Sequence, residues 1–177
     1  MKKLILIPLL LITISSSSQV FNTSSTLRRG HLSLGFEPSV YINGASDFNL
    51  FIHGGIGLTS NIDLGLHLGV LGNKNYIGAD VEFGLGRLFS FTGGVHDFYD
   101  FGLDGTLLCT LPIQSNADIF IGLDTDIVFN DDTDIHFWLP LGVAINVKRN
   151  MDFILETEIG LGDTNTHFIG GGLCFYF

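Results

Sequence analysis

The chain is predicted to be all-β: a closed, antiparallel, up-and-down transmembrane β-barrel of ten strands, with eight as the alternative count. Three observations predict this. From Gly30 onward, apolar residues alternate with small or polar ones, the period that sends successive side chains to opposite faces of a strand. The breaks between runs are short and rich in Gly, Asn and Asp, as hairpins require. One face is continuously apolar while the other gathers glycine, carboxylates and histidine, which suits a strand with lipid on one side and an enclosed interior on the other.

Composition bounds the possibilities. The chain has 177 residues, enough for one domain. It is 46% hydrophobic and only 15% charged, well below the usual quarter. Eighteen acids against eight bases give a net charge of −10, which disfavours nucleic acid and anionic membrane surfaces as partners and permits cations. Residues 1–18 read as a secretory signal peptide: Lys2 and Lys3, an apolar run over 4–14 interrupted by Pro8, then four serines, with cleavage expected near Ser18 and Gln19. The run is too short for a membrane-spanning helix. Residues 19–29 read as a flexible Ser/Thr/Asn-rich leader, and 30–177 as the barrel domain. Export would permit disulfides, yet Cys109 and Cys174 fall on opposite faces of strands that are not neighbours, so two free thiols are expected.

The strands follow in order. The run 31–41 puts Leu32, Leu34 and Phe36 on the apolar face and Glu37 on the other; 49–58 puts Leu50, Ile52, Ile56 and Leu58 there; 62–71 contributes Leu64, Leu66, Leu68 and Val70; 76–85 contributes Ile77, Ala79, Val81, Phe83 and Leu85. After 89–96, the apolar face continues through 101–111 with Leu103 and Leu107, 118–129 with Ile119, Ile121, Leu123 and Ile127, and 135–145 with Phe137, Leu139, Leu141 and Val143. It ends with Phe153, Leu155 and Ile159 in 151–161 and Ile169, Leu173, Phe175 and Phe177 in 167–177. Most runs are close to the length of a tilted membrane strand, about 9–11 residues. Pro38 and Pro140 cannot donate to a ladder, so a bulge or local break is expected at each. Leu108, Phe120 and Ile154 fall on the inner face against the pattern and are read as local filling.

The signal segment, the alternating strands with short turns, and the ending Leu173-Cys174-Phe175-Tyr176-Phe177 together resemble small, single-domain bacterial outer-membrane β-barrel proteins. The resemblance covers about the whole mature chain and marks a class, not an activity. It implies residence in the bacterial outer membrane among its lipids, as a monomer. It also implies that Leu173, Phe175 and Phe177 form the C-terminal signal read by the barrel-assembly machinery. The topology would place the ends of the chain in the periplasm and the loops near 43–47, 72–75, 97–100, 130–134 and 162–166 outside. These loops are shorter than the family often has.

Ten carboxylates are predicted to point into the lumen: Glu37, Asp63, Asp80, Glu82, Asp104, Asp124, Asp126, Asp152, Glu156 and Glu158. So do His31, His53, His67, His96 and His136, but no lysine or arginine. Enclosed carboxylates must be solvated, share protons, pair with histidine or hold cations. Cross-strand counting sets Glu37 opposite His53, His53 opposite His67, and His67 opposite Asp80, a row that is a candidate divalent-metal site or else a histidine–carboxylate hydrogen-bond network. No other cofactor is expected.

The function expected is non-enzymatic: either a structural barrel with a plugged lumen or a narrow cation-preferring pore. An outer-membrane enzyme is the alternative, since His96, Asp97, Asp100, Asp134 and His136 lie near the outer rim. A third reading is an interaction module using the acidic loops at 97–100 and 131–134.

Overall fold

The computed structural model describes residues 25–42, 46–72, 75–98, 100–130, 133–162 and 166–177. The expected signal segment, the first part of the expected leader and the tips of several loops lie outside these residues. The chain forms β1 (Leu32–Ile42), β2 (Ser46–Gly57), β3 (Ile62–Leu71), β4 (Tyr76–Gly84), β5 (Phe89–Phe98), β6 (Asp100–Gln114), β7 (Ala117–Phe129), β8 (Thr133–Lys148), β9 (Met151–Gly160) and β10 (His167–Tyr176). Each strand pairs antiparallel with its neighbours in sequence, and β1 pairs with β10, so the sheet closes into a ten-strand barrel. The last residue joins the seam as well: Phe177 and Leu32 exchange backbone hydrogen bonds of 2.9 and 3.2 Å.

All ten expected strands are present. Their ends differ most in β2, which starts three residues earlier at Ser46, and in β6 and β8, which run on to Gln114 and Lys148 because pairing with β7 and β9 continues down to tight turns. Register shifts at Pro112/Gln114 and Asn146/Lys148 absorb the extra residue on each longer strand. Both prolines interrupt a ladder as expected. Between β1 and β10 the register passes from Phe36↔Leu173 to Ser39↔Gly170, skipping Glu37 and Pro38. Between β7 and β8 it passes from Ile121↔Leu141 to Asp124↔Trp138, skipping Leu139 and Pro140.

The faces sort as the alternation predicts. Leu64, Leu66, Leu68, Leu103, Ile121, Leu123, Phe137, Phe153 and Leu155 all point outward and are exposed. Such a continuous apolar exterior has no place in water and fits the hydrocarbon of a bilayer, where closure also leaves no backbone edge unpaired. Phenylalanines flank the band at both ends. Phe48, Phe101 and Phe129 sit toward the end carrying the loops after β1, β5 and β7, here called the upper end, with Phe101 stacked on Phe129 at 6.0 Å. Phe89 and Phe177 sit toward the lower end, with the chain termini. Exposed aromatics in this position match the interfacial girdles of membrane barrels. Among the described residues no helix is long and apolar enough to cross a membrane. Cys109 and Cys174 are free thiols, Cys174 buried inside.

Two features depart from expectation. The end of the leader is not loose: Leu27 is 1% exposed and packs in a cluster with Leu108, Phe120, Ile154, Cys174 and Tyr176 at the lower end of the lumen. Its backbone N–H donates to the Asp63 carboxylate, and Thr26 Oγ1 donates to Ser60 O at 3.3 Å. Gly57 makes this entry possible, since a Cβ there would collide with the Arg28 carbonyl. The three inner residues that broke the polar pattern, Leu108, Phe120 and Ile154, are the wall against which Leu27 packs. His31 is the second departure. It precedes β1 at the lower rim and is exposed, outside the lumen.

Leu66 lies at the middle of β3 and is 63% exposed on the apolar face. Leu66→Arg is expected to destabilise the barrel by about 2–4 kcal/mol in lipid vesicles, measured by equilibrium unfolding in denaturant. The same change made at an exposed lower turn position such as Ser60 is expected to cost little.

Candidate functional site

The lumen is built in layers. The upper layer is aromatic: Tyr41 meets Phe98 at 5.8 Å and Phe168 at 5.1 Å, and Tyr76 meets Phe51 at 5.4 Å and Phe98 at 5.8 Å. The lower layer is the Leu27 cluster. Between them lie the carboxylates and histidines, brought inward because every one occupies the same parity as the inward glycines of its strand. No buried Lys or Arg side chain is found among the described residues.

Within this middle layer Glu37, His53, His67 and Asp80 do come together, on four consecutive strands. Glu37 Oε2 lies 2.9 Å from His53 Nε2, His53 Nδ1 lies 2.7 Å from His67 Nδ1, and His67 Nε2 bonds the Asp80 carboxylate. His53 and His67 are directly opposite, as counted from the 59–61 turn. The other two pairs are diagonal. Glu37 stands opposite Phe51, and Asp80 opposite Gly65, because both upper hairpins are centred one residue earlier than expected. At the β3–β4 hairpin Gly72 follows the strand with a φ of 144°, a conformation that favours glycine. The contacts survive because these side chains are long enough to reach a diagonal neighbour. Glycines give them room: a Cβ on Gly65 would strike the Asp80 carboxylate, and one on Gly170 would strike that of Glu37.

The four groups form a line, carboxylate–imidazole–imidazole–carboxylate. Each imidazole nitrogen in the line has a partner, and which of them donates depends on the tautomer of each ring. The Phe51 ring lies 6.0 Å from that of His53, tilted by 34°.

A second group lies on β5, β6 and β7. His96 Nδ1 is 3.3 Å from Asp104 Oδ2 and 3.5 Å from Asp126 Oδ1. Beside it the Thr106 hydroxyl donates to the Asp124 carboxylate. Glu82 and Glu156 are buried lower and across the lumen, and Asp152 accepts from Tyr176 Oη at 3.0 Å and Asn146 Nδ2 at 2.8 Å. Glu158 occupies an inward position on β9 opposite Phe168. The rim residues of the enzyme alternative are dispersed. His96 points into the lumen while Asp97, Asp100 and Asp134 are exposed, Asp134 accepts from Asn130 at 3.1 Å, and His136 packs on Trp138 at 5.6 Å. Leu173 and Phe177 are exposed on the outer face, and Phe175 shares that face.

Sequence pattern left two elements unmarked. The aromatic layer was visible only as parity, since Tyr41, Phe51, Tyr76, Phe98 and Phe168 share the inner face with the acids. The entry of Leu27 left no signal beyond a lone leucine in a polar stretch.

His53→Leu leaves the buried Glu37 carboxylate and the inner nitrogen of His67 without their partner. It is expected to cost about 3–5 kcal/mol in equilibrium unfolding. A double-mutant cycle between Glu37→Gln and His53→Leu is expected to show coupling of roughly 0.5–3 kcal/mol, as residues sharing one network do.

No known protein family matches the chain, and no curated protein matches it in sequence. Among solved structures it is similar to a de novo designed transmembrane β-barrel, at 11% identity, covering 86% of this chain and all of that one, with a TM-score of 0.48. It is also similar to neisserial surface protein A, at 12% identity, 83% and 96% coverage and a TM-score of 0.43. A third is the N-terminal β-barrel domain of Pseudomonas aeruginosa OprF, at 14% identity, 84% and 98% coverage and a TM-score of 0.38.

Proposed function

We propose that the chain is a non-enzymatic β-barrel of the bacterial outer membrane, exported by residues 1–18 and serving as a structural barrel with a closed, acidic, histidine-containing lumen. The observation that carries this reading is the layering of the interior. A polar middle is capped above by the rings of Tyr41, Phe51, Tyr76, Phe98 and Phe168 and below by Leu27 and its apolar neighbours. A barrel of this strand number is near the size that side chains alone fill. The groups with catalytic potential are tied to one another, and the rim acids face away from His96. Phe175 and Phe177, with Leu173, present an apolar stripe on the outer face of the last strand, the form in which an assembly machine would meet it. In this reading the chain stands alone in the lipid as a monomer, with its termini in the periplasm and no nucleic acid partner.

The second reading, a narrow cation-preferring pore, is favoured by the acidic middle layer alone. Planar-bilayer recording of the full refolded chain separates the two. The structural barrel is expected to leave the membrane silent across a wide voltage range. Steady cation-selective steps from the wild-type chain would overturn it in favour of the pore. In that same assay Leu27→Gly, which removes the side chain from the lower cap, is expected to raise the frequency of brief openings.

A further inference from the structure

The two histidine groups of the lumen differ in a way that ligand geometry can read. In a tetrahedral site with bonds of about 2.0–2.1 Å, neighbouring ligand atoms are separated by about 3.3–3.4 Å, the edge of the tetrahedron. His53 Nδ1 and His67 Nδ1, at 2.7 Å, are at hydrogen-bond distance and too close to share an ion in this way. His96 Nδ1 stands 3.3 Å from an Asp104 oxygen and 3.5 Å from an Asp126 oxygen, and one atom from each of the three residues falls within 4.8 Å of the others. These separations fit the tetrahedral edge. They are also long for hydrogen bonds from one ring nitrogen that has a single hydrogen to offer.

We propose that His96, Asp104 and Asp126 form a binding site for a first-row divalent metal ion, with zinc the best-suited occupant. One imidazole and two carboxylates match the donor preferences of zinc. Three protein ligands leave a fourth position for water. The surroundings are shaped for this constellation. Gly94 stands directly opposite Asp104, and Gly102 directly opposite His96. A Cβ on Gly94 would strike the Asp104 carboxylate, and one on Gly102 would strike the His96 ring. The Tyr76 ring stacks on the imidazole at 5.7 Å and 15°, fixing its plane. Asp124, held by Thr106 on the same strand face as Asp126, adds negative potential. The Asp104 and Asp126 side chains keep 23% and 22% of their exposure, so space remains beside their carboxylates, while the His96 side chain keeps only 6%.

The site does not depend on whether the barrel conducts. The test is zinc titration of the full chain refolded into detergent micelles, followed by calorimetry, with Co²⁺ as a spectroscopic probe whose visible absorption reports tetrahedral coordination. Folding of every variant is checked by circular dichroism and by heat-modifiable migration. One ion per chain is expected. His96→Ala and the isosteric Asp126→Asn are each expected to weaken binding at least ~10-fold, since even outer-shell changes cost 10–100-fold. His53→Ala is expected to bind like the wild type. The proposal is overturned if the folded wild type takes up no zinc, if folded His96→Ala binds as tightly as the wild type, or if His53→Ala abolishes uptake. That last result would return the ion to the Glu37–His53–His67–Asp80 line.

Discussion

The structure depends first on pairing every backbone amide and carbonyl that hydrocarbon would otherwise surround. Ten strands satisfy this only if the first finds the last. The β1–β10 seam is where that demand is tightest. Gly170, Gly171 and Gly172 run against Ser39, Pro38 and Glu37, and a Cβ on Gly172 would collide with the Phe36 carbonyl. The seam keeps one register on both sides of the proline, so the gap in the ladder stays local. Pro38 points outward, and its neighbour Glu37 turns its carboxylate into the lumen.

Once the sheet is closed with its greasy side out, the polar side chains have nowhere to go but inward. A soluble protein would balance such acids with lysine or arginine. Here the balancing groups are histidines, which both donate and accept. That allows hydrogen-bonded lines such as Glu37–His53–His67–Asp80 to be built without introducing a permanent positive charge. Short side chains across the strands supply the space: Gly65, Gly94, Gly102 and Gly170 each stand where a methyl group would displace an acid or an imidazole. Glycine content and acid content in this chain are thus two aspects of one packing problem.

The architecture was legible because a two-residue period needs no tertiary information. Leu64, Leu66 and Leu68 name their face from sequence alone, and so do Asp63, Gly65 and His67. The breaks at Pro38 and Pro140 followed from the missing N–H of proline. The histidine line was legible in its members but only partly in its register. Register across an upper hairpin depends on which residue takes the turn, and the β3–β4 pairing stands one position away from the count. The His96 group was not legible as a unit, because its members come from three strands and meet only when side-chain directions are known. The packing of Leu27 had no periodic signature at all, since it precedes the first strand and its partners lie more than 80 residues away in β6, β7, β9 and β10.

That leucine changes where the folded body begins. The packed body does not start with the ladder at Leu32 but several residues earlier, with a side chain that corks the lower mouth from within. A segment that looks like a tether is therefore part of the interior. The barrel cannot reach its final packing until the strands have curled around their own upstream flank.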